Sequence, residues 1–241
     1  MKSIYSLLAL MTFGLVAMVT PASATSVTGQ ANVSGTATVN TNGIFFNASG
    51  TNTASNPFTV QAPNTGSFSG LLSGTIQNLP GSATTGSHPV TSFATFVTSA
   101  NTILFDLQTI LPGAGTLAGC ASSAIGSICT PSNSPFTLIQ VAANVVDISL
   151  NLEGIAYIGS PGTGSSFTSA GFTTQNLIPG TIPAILAAVG TTGVTNSYSA
   201  TFSASAVPEP ASLFLMGAGL LGAGLIARRR VRNQNLPDQI L

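Results

Sequence analysis

SVTGQANVSGTATVN, residues Ser26 to Asn40, decides the fold class because its side chains alternate strictly in character. One side of the alternation is apolar or small and the other is polar. The first set is Val27, Gly29, Ala31, Val33, Gly35, Ala37 and Val39, and the second is Thr28, Gln30, Asn32, Ser34, Thr36, Thr38 and Asn40. A period of two predicts a half-buried strand with one wet face, or two strands that meet at a glycine.

The same alternation recurs along the chain. VDISLNLE directs Val146, Ile148, Leu150 and Leu152 inward, and ILFDL and NSYSATFSAS follow the same pattern. Shorter strand candidates are NPFTV, SFSGLLSGTIQNL, VTSFATFV, PFTLIQV and SSFTSAGF, separated by Gly-, Pro- and Asn-rich turns. Only TIPAILAAVG is typical of a helix, with Pro183 in its first turn and Gly190 after its end.

These patterns predict an all-β fold, an antiparallel β-sandwich of jelly-roll type with one short helix, over residues 25–206. The polar strand faces argue against the buried parallel sheet of an α/β enzyme.

Charge is almost missing from this domain. The 241 residues include five basic and five acidic side chains, and no Lys or Arg lies between Lys2 and Arg228. Such a chain cannot neutralise phosphates, so nucleic-acid binding is excluded as a function.

The amino terminus has the pattern of a signal peptide, residues 1–24. Lys2 precedes an apolar run from Ile4 to Val19, and Ala22-Ser23-Ala24 supplies the A-x-A site of signal peptidase. We therefore expect export by the Sec translocon and cleavage before Thr25, with an ordinary N-terminal transmembrane anchor as the alternative.

The two cysteines, Cys120 and Cys129, lie in CASSAIGSIC. An exported protein meets an oxidising compartment, so we expect a structural disulfide between them. Their spacing differs from the C-x-x-C of redox motifs, and no histidine cluster accompanies them to bind zinc.

Candidates for catalysis or metal binding are few. His88 lies in a Gly-Ser-His-Pro stretch that predicts a solvated turn, and Asp106, Asp147 and Glu153 lie on polar strand faces. The histidine could be part of a hydrolytic triad. The carboxylates could catalyse glycoside hydrolysis or bind a calcium ion. Solvated roles are favoured for all four, so no catalytic, metal or cofactor site is predicted. GAGLLG, residues 217–222, matches a dinucleotide motif but lacks the strand that the motif requires before it.

The carboxyl-terminal segment, residues 207–232, has three parts. Pro208-Glu209-Pro210 comes first, and an uncharged run from Ala211 to Ala227 follows. As a helix this run would measure about 25 Å, at the short end of what crosses a bilayer. The stop-transfer cluster is Arg228, Arg229, Arg230 and Arg232, which predicts a single transmembrane helix with residues 233–241 as a cytoplasmic tail.

This order of parts resembles the PEP-CTERM sorting signal of bacteria that have an exosortase, a segment also called the ice-binding protein C-terminal domain. The resemblance implies anchoring in the inner membrane, cleavage near Pro208-Glu209-Pro210 by the exosortase, and delivery to the cell surface or medium. The three residues would serve recognition. Members of the family are typically tied to exopolysaccharide and biofilm matrices.

The expected function is accordingly a non-enzymatic surface or matrix protein, with exopolysaccharide as a candidate partner and no cofactor. One alternative is a carbohydrate- or ice-binding module. For ice, the binding face would be the polar row from Thr28 to Asn40, in which Thr36 and Thr38 form a T-x-T pair. The other is a secreted hydrolase built on His88 or the three carboxylates.

Overall fold

The computed structural model of the protein describes residues 26–81, 84–160, 164–177 and 180–206, together with residues 217–222 and 224. The described residues between 26 and 206 group into one compact unit. Its described strands are β1 Gly29–Asn40, β2 Gly43–Phe45, β3 Asn56–Pro57, β4 Thr59–Gln61, β5 Leu71–Ile76, β6 Leu79–Pro80, β7 Gly86–Thr98, β8 Thr102–Ile110, β9 Ile128–Cys129, β10 Thr137–Ala142, β11 Val145–Ile158, β12 Ser166–Leu177 and β13 Val194–Ala206. Helix α1 spans Ile182–Val189, and 3-10 turns span Gly66–Phe68 and Ala118–Ala121.

All described strands belong to one antiparallel sheet with the order β3-β5-β7-β8-β11-β12-β13-β1-β2-β6, and β4, β9 and β10 pair alongside. The all-β, antiparallel prediction is confirmed. Strands that are consecutive in the sequence, such as β7 and β8, or β11, β12 and β13, also lie side by side in the sheet. This meander differs from the Greek-key order of a jelly roll, and hydrogen bonds join the strands into one sheet instead of the two of a sandwich.

The sheet curls on itself because bulges bend its long strands. The register between β7 and β8 shifts twice, and one shift occurs between β8 and β11. Bulges add local bend and twist. The short segment 56–61 spans the two halves, since β3 pairs with β5 whereas β4 pairs with β1.

An aromatic core fills the space between the facing halves of the sheet. The ring of Phe96 on β7 lies 4.9 Å from that of Phe202 on β13, and Phe46 lies 5.8 Å from Phe93. The first contact joins two strands far apart in the sheet order, and the second joins β7 to the residue that follows β2. Most pairs meet edge to face or tilted, the geometry that ring electrostatics favour.

Strand β1 follows the predicted alternation over its first half and departs from it near its end. Ala31 and Val33 are buried as expected, but the outward Thr38 is only 5% exposed. Its hydroxyl hydrogen-bonds the backbone oxygen of Asn47 and the Thr195 hydroxyl. The loop after β2 therefore covers the end of the polar row.

Helix α1 is confirmed and covers a second, smaller hydrophobic cluster. Thr181 is its N-cap, since the Thr181 hydroxyl accepts a hydrogen bond from the amide of Ala184. The buried residues of this second cluster are Cys129, Leu138, Val146, Ile182, Ile185 and Val194. The helix ends at Gly190 in right-handed geometry, and Gly193 supplies the left-handed residue of the turn that follows.

Gln140 of β10 attaches the start of this helix to the sheet. Its side chain is fully buried. The amide nitrogen donates to the backbone oxygens of Ala142, Val145 and Gly180, and the amide oxygen accepts from the backbone N–H of Ile182.

The predicted terminal segments fall largely outside the described residues. The signal peptide, residues 1–24, lies outside them, as do residues 225–241. Within the predicted C-terminal helix, residues 217–222 and 224 are helical, and Leu220 and Leu221 are exposed. In the described parts of the chain, no helix has the length and apolar character needed to cross a membrane.

Candidate functional site

The predicted targeting residues are not among those that the structure describes. They are Ala22 and Ala24 of the signal-peptidase site, Pro208, Glu209 and Pro210 of the sorting motif, and Arg228, Arg229, Arg230 and Arg232. Strand β13, in the interior of the sheet, ends at Ala206, two residues before Pro208. The structure thus describes the domain that these signals would transport.

The predicted disulfide is confirmed. The Sγ atoms of Cys120 and Cys129 are bonded at 2.02 Å, and the bridge connects the 3-10 turn at Ala118–Ala121 to β9. Cys129 is fully buried in the second hydrophobic cluster. The bond therefore holds an irregular loop against the part of the domain that carries helix α1.

Asp106 is engaged in hydrogen bonds that stabilise a strand irregularity. One carboxylate oxygen accepts the backbone N–H of Ser92 at 2.6 Å and the Tyr157 hydroxyl at 3.0 Å. Ser92 has a φ of +51°, a left-handed conformation that is uncommon for a residue other than glycine. Burial, followed by the hydrogen bond and the charge of Asp106, raises the pKa of Tyr157. These contacts give Asp106 a structural role.

The remaining candidates, His88, Asp147 and Glu153, lie on two strands, β7 and β11. His88 lies within β7, where the register against β8 shifts, so the predicted turn at this residue is wrong. Glu153 lies opposite Thr109, whereas Asp147 lies opposite Ile139. Six residues of one strand separate the two acids, about 20 Å at the rise of an extended chain. Among the described residues, no three His, Cys, Asp or Glu side chains are grouped as metal ligands.

Polar side chains also form a surface that we call the polar outer face. It consists of the outward residues of four adjacent strands, β11, β12, β13 and β1. The register places them in cross-strand rows: Glu153, Ser169, Ser203 and Gln30; Asn151, Gly171, Thr201 and Asn32; Ser149, Thr173, Ser199 and Ser34.

Hydrogen bonds connect the polar outer face laterally. The Thr201 hydroxyl donates to the side-chain oxygen of Asn32 at 2.8 Å, and the Gln30 amide donates to the Ser203 hydroxyl at 3.2 Å. Sequence reasoning identified the β1 row but not its continuation across β12 and β13. In NSYSATFSAS, Ser199, Thr201 and Ser203 alternate with apolar residues and carried that signal, whereas of the Ser and Thr residues in SSFTSAGF only Ser169 belongs to these rows and Ser166 and Thr168 are buried. Only strand order shows which residues share the face.

The T-x-T pair proposed for ice binding is not an exposed array. Thr36 is half-buried and Thr38 is buried under the loop that contains Asn47. The row is also joined to β4, since the Gln61 amide donates to the Ser34 hydroxyl. The second half of β1 therefore lacks the free row of hydroxyl groups that the ice-binding interpretation requires.

Comparison with known protein families identifies the carboxyl-terminal segment. Residues 206–230 match the PEP-CTERM protein-sorting motif. The resemblance inferred from Pro208-Glu209-Pro210, the apolar run and the arginine cluster is confirmed, and the motif marks the chain as an exported protein sorted by an exosortase. No curated protein and no solved structure matches the chain significantly.

Proposed function

We propose that the domain of residues 25–206 is a non-enzymatic component of the cell surface or extracellular matrix, where it associates with exopolysaccharide. The sorting motif at residues 206–230 is the observation that carries this proposal. In this account the arginine-flanked helix retains the exported chain in the inner membrane. The exosortase then cleaves near Pro208-Glu209-Pro210 and delivers the domain.

The polar outer face supports exopolysaccharide as the partner. Its rows present hydroxyl and amide groups, which both donate and accept hydrogen bonds, as the hydroxyls of a polysaccharide also do. Glu153 is the one acidic side chain in these rows. The chain also lacks Lys and Arg from residue 3 to residue 227. A polymer of low charge suits such a face better than a polyanion, which needs basic contacts.

The non-enzymatic part of the proposal rests on the candidate catalytic groups. Asp106 is occupied by Ser92 and Tyr157, and Asp147 lies far along β11 from Glu153. Glycoside hydrolysis needs two carboxyl groups within about 10 Å across one substrate. A screen of hydrolase substrates with the parent protein and His88→Ala tests this part. A turnover that the substitution abolishes would contradict it.

Deletion tests the sorting step. Removing residues 208–230 should leave the domain exported but soluble and unprocessed, because both the recognition residues and the membrane helix are lost. Removing residues 233–241 is the matched control, and it should leave sorting intact. Unchanged envelope localisation after the first deletion would refute the sorting account.

Substitutions on the polar outer face test the exopolysaccharide contact. Thr201→Glu and Thr173→Glu each add a charge to the face without reaching the core, and each should weaken cosedimentation with the producing cell's exopolysaccharide. Thr102→Glu, at an exposed position at the start of β8, is the control. Equal cosedimentation of all three variants with the parent would show that this face does not bind the polymer.

A further inference from the structure

An apolar cavity of about 300 Å³, partly open to solvent, lies where the aromatic core and the second hydrophobic cluster meet. Phe46 and Phe172 of the core line one side, and Ile185, Leu186 and Val189 of helix α1 line another. Protein interiors are normally packed to the density of organic crystals. A space of this size falls at the lower end of the range for small-molecule pockets.

One polar group on the cavity wall lacks a partner. Thr174 of β12 lines the cavity, and its hydroxyl is buried without a hydrogen bond to any residue that the structure describes. Buried hydroxyls are nearly always hydrogen-bonded. The unpaired hydroxyl is therefore placed where a bound molecule would supply the missing partner.

The wall selects against charged molecules. The described residues that line the cavity include no Lys, Arg, His, Asp or Glu, and burial raises the pKa of the lining residue Tyr198, which keeps its phenol neutral. A carboxylate or ammonium group buried there would lose its hydration without gaining a counter-charge. We therefore expect the part of an occupant that contacts this wall to be uncharged.

Size sets the last constraint. If each non-hydrogen atom takes about 30 Å³, the share of one water molecule in the liquid, the cavity accommodates about ten such atoms. We propose that it binds one neutral, mainly aliphatic molecule of this size with a single hydroxyl group, which hydrogen-bonds Thr174. This inference is independent of the sorting motif and of the polar outer face.

Isothermal titration calorimetry of the mature protein with 1-decanol tests the proposal, with decanoate at pH 8 as the charged counterpart. We expect saturable binding of one 1-decanol per chain and at least tenfold weaker binding of decanoate. Equal affinity for the two would overturn the charge argument. Absence of 1-decanol binding up to its solubility limit would overturn the site.

Variants locate the binding. Thr174→Val keeps the side-chain shape without the hydroxyl and should weaken 1-decanol about five- to tenfold, as expected for one lost hydrogen bond. Ser166→Ala is the matched control, since the Ser166 hydroxyl is also buried and unpaired among the described residues but lies outside the cavity lining. Ala37→Phe should fill the space and abolish binding. If that variant does not fold, Thr174→Val still decides, because unchanged affinity in it would contradict the assigned contact.

Discussion

Replacing Gln140 by leucine should lower the free energy of unfolding more than most single substitutions do. Leucine has a similar size but removes the whole amide from a fully buried position. The backbone oxygens of Ala142, Val145 and Gly180 lose their donor, and the N–H of Ile182 loses its acceptor. The connection between β10 and helix α1 then lacks its polar contacts.

The magnitude follows from the hydrogen-bond count. An amide nitrogen carries two hydrogens, so its three carbonyl partners share two donor bonds, and the bond from Ile182 makes three in all. At about 1 to 1.5 kcal/mol each, the loss is about 3–4 kcal/mol. With a urea m-value near 2 kcal/mol/M, the unfolding midpoint should move down by about 1.5–2 M.

Urea unfolding of the purified protein, followed by circular dichroism, measures this shift. Gln108→Leu is the control, because Gln108 is an exposed residue of β8 and its replacement should change stability by no more than about 0.5 kcal/mol. If Gln140→Leu unfolds at the same urea concentration as the control, the buried amide does not stabilise the helix contact and the reasoning fails.

Three further properties can be measured on the same protein. Gly154→Ala should destabilise the fold by about 1–3 kcal/mol, because its Cβ would lie 2.0 Å from the backbone oxygen of Asp106. Gly171→Ala should be tolerated, because its Cβ would meet nothing closer than 3.5 Å. Equal melting temperatures of the Gly154→Ala and Gly171→Ala variants would contradict this expected difference. Tyr157 and Tyr198 have pKa values raised above the ordinary 10, so both stay protonated in the folded protein while the unfolded chain ionises. The free energy of unfolding should therefore be retained below pH 10 and fall as the pH rises further, and denaturation that is independent of pH there would refute it. Reducing the disulfide should lower the free energy of unfolding by about 2–3 kcal/mol, which would appear as a lower urea midpoint in dithiothreitol. An unchanged midpoint would show that the loop is held in place without the disulfide.

Local patterns predicted the strands well because the alternation of side chains is a property of each segment alone. SSFTSAGF and NSYSATFSAS became β12 and β13, and TIPAILAAVG became helix α1. The disulfide was equally predictable, since the exported chain contains just two cysteines.

Strand order and long-range burial could not be predicted in the same way. The burial of Thr38 depends on a loop that returns over β1, and the bulge at Ser92 depends on an aspartate fourteen residues later in the chain. The cavity depends on how helix α1 packs beside the aromatic core. Such features arise from contacts between segments, which a periodic pattern within one segment does not encode.

The sorting motif was predictable for a different reason. Its three parts lie within one continuous stretch of 25 residues, and their order along the chain is the signal.

The intact mass of the protein recovered from the surface or medium of a cell with an exosortase tests the central claim most directly. The account predicts a chain that begins at Thr25 and ends near Pro208-Glu209-Pro210, without the apolar run and the arginine cluster. A surface protein whose mass extends to Leu241 would contradict it.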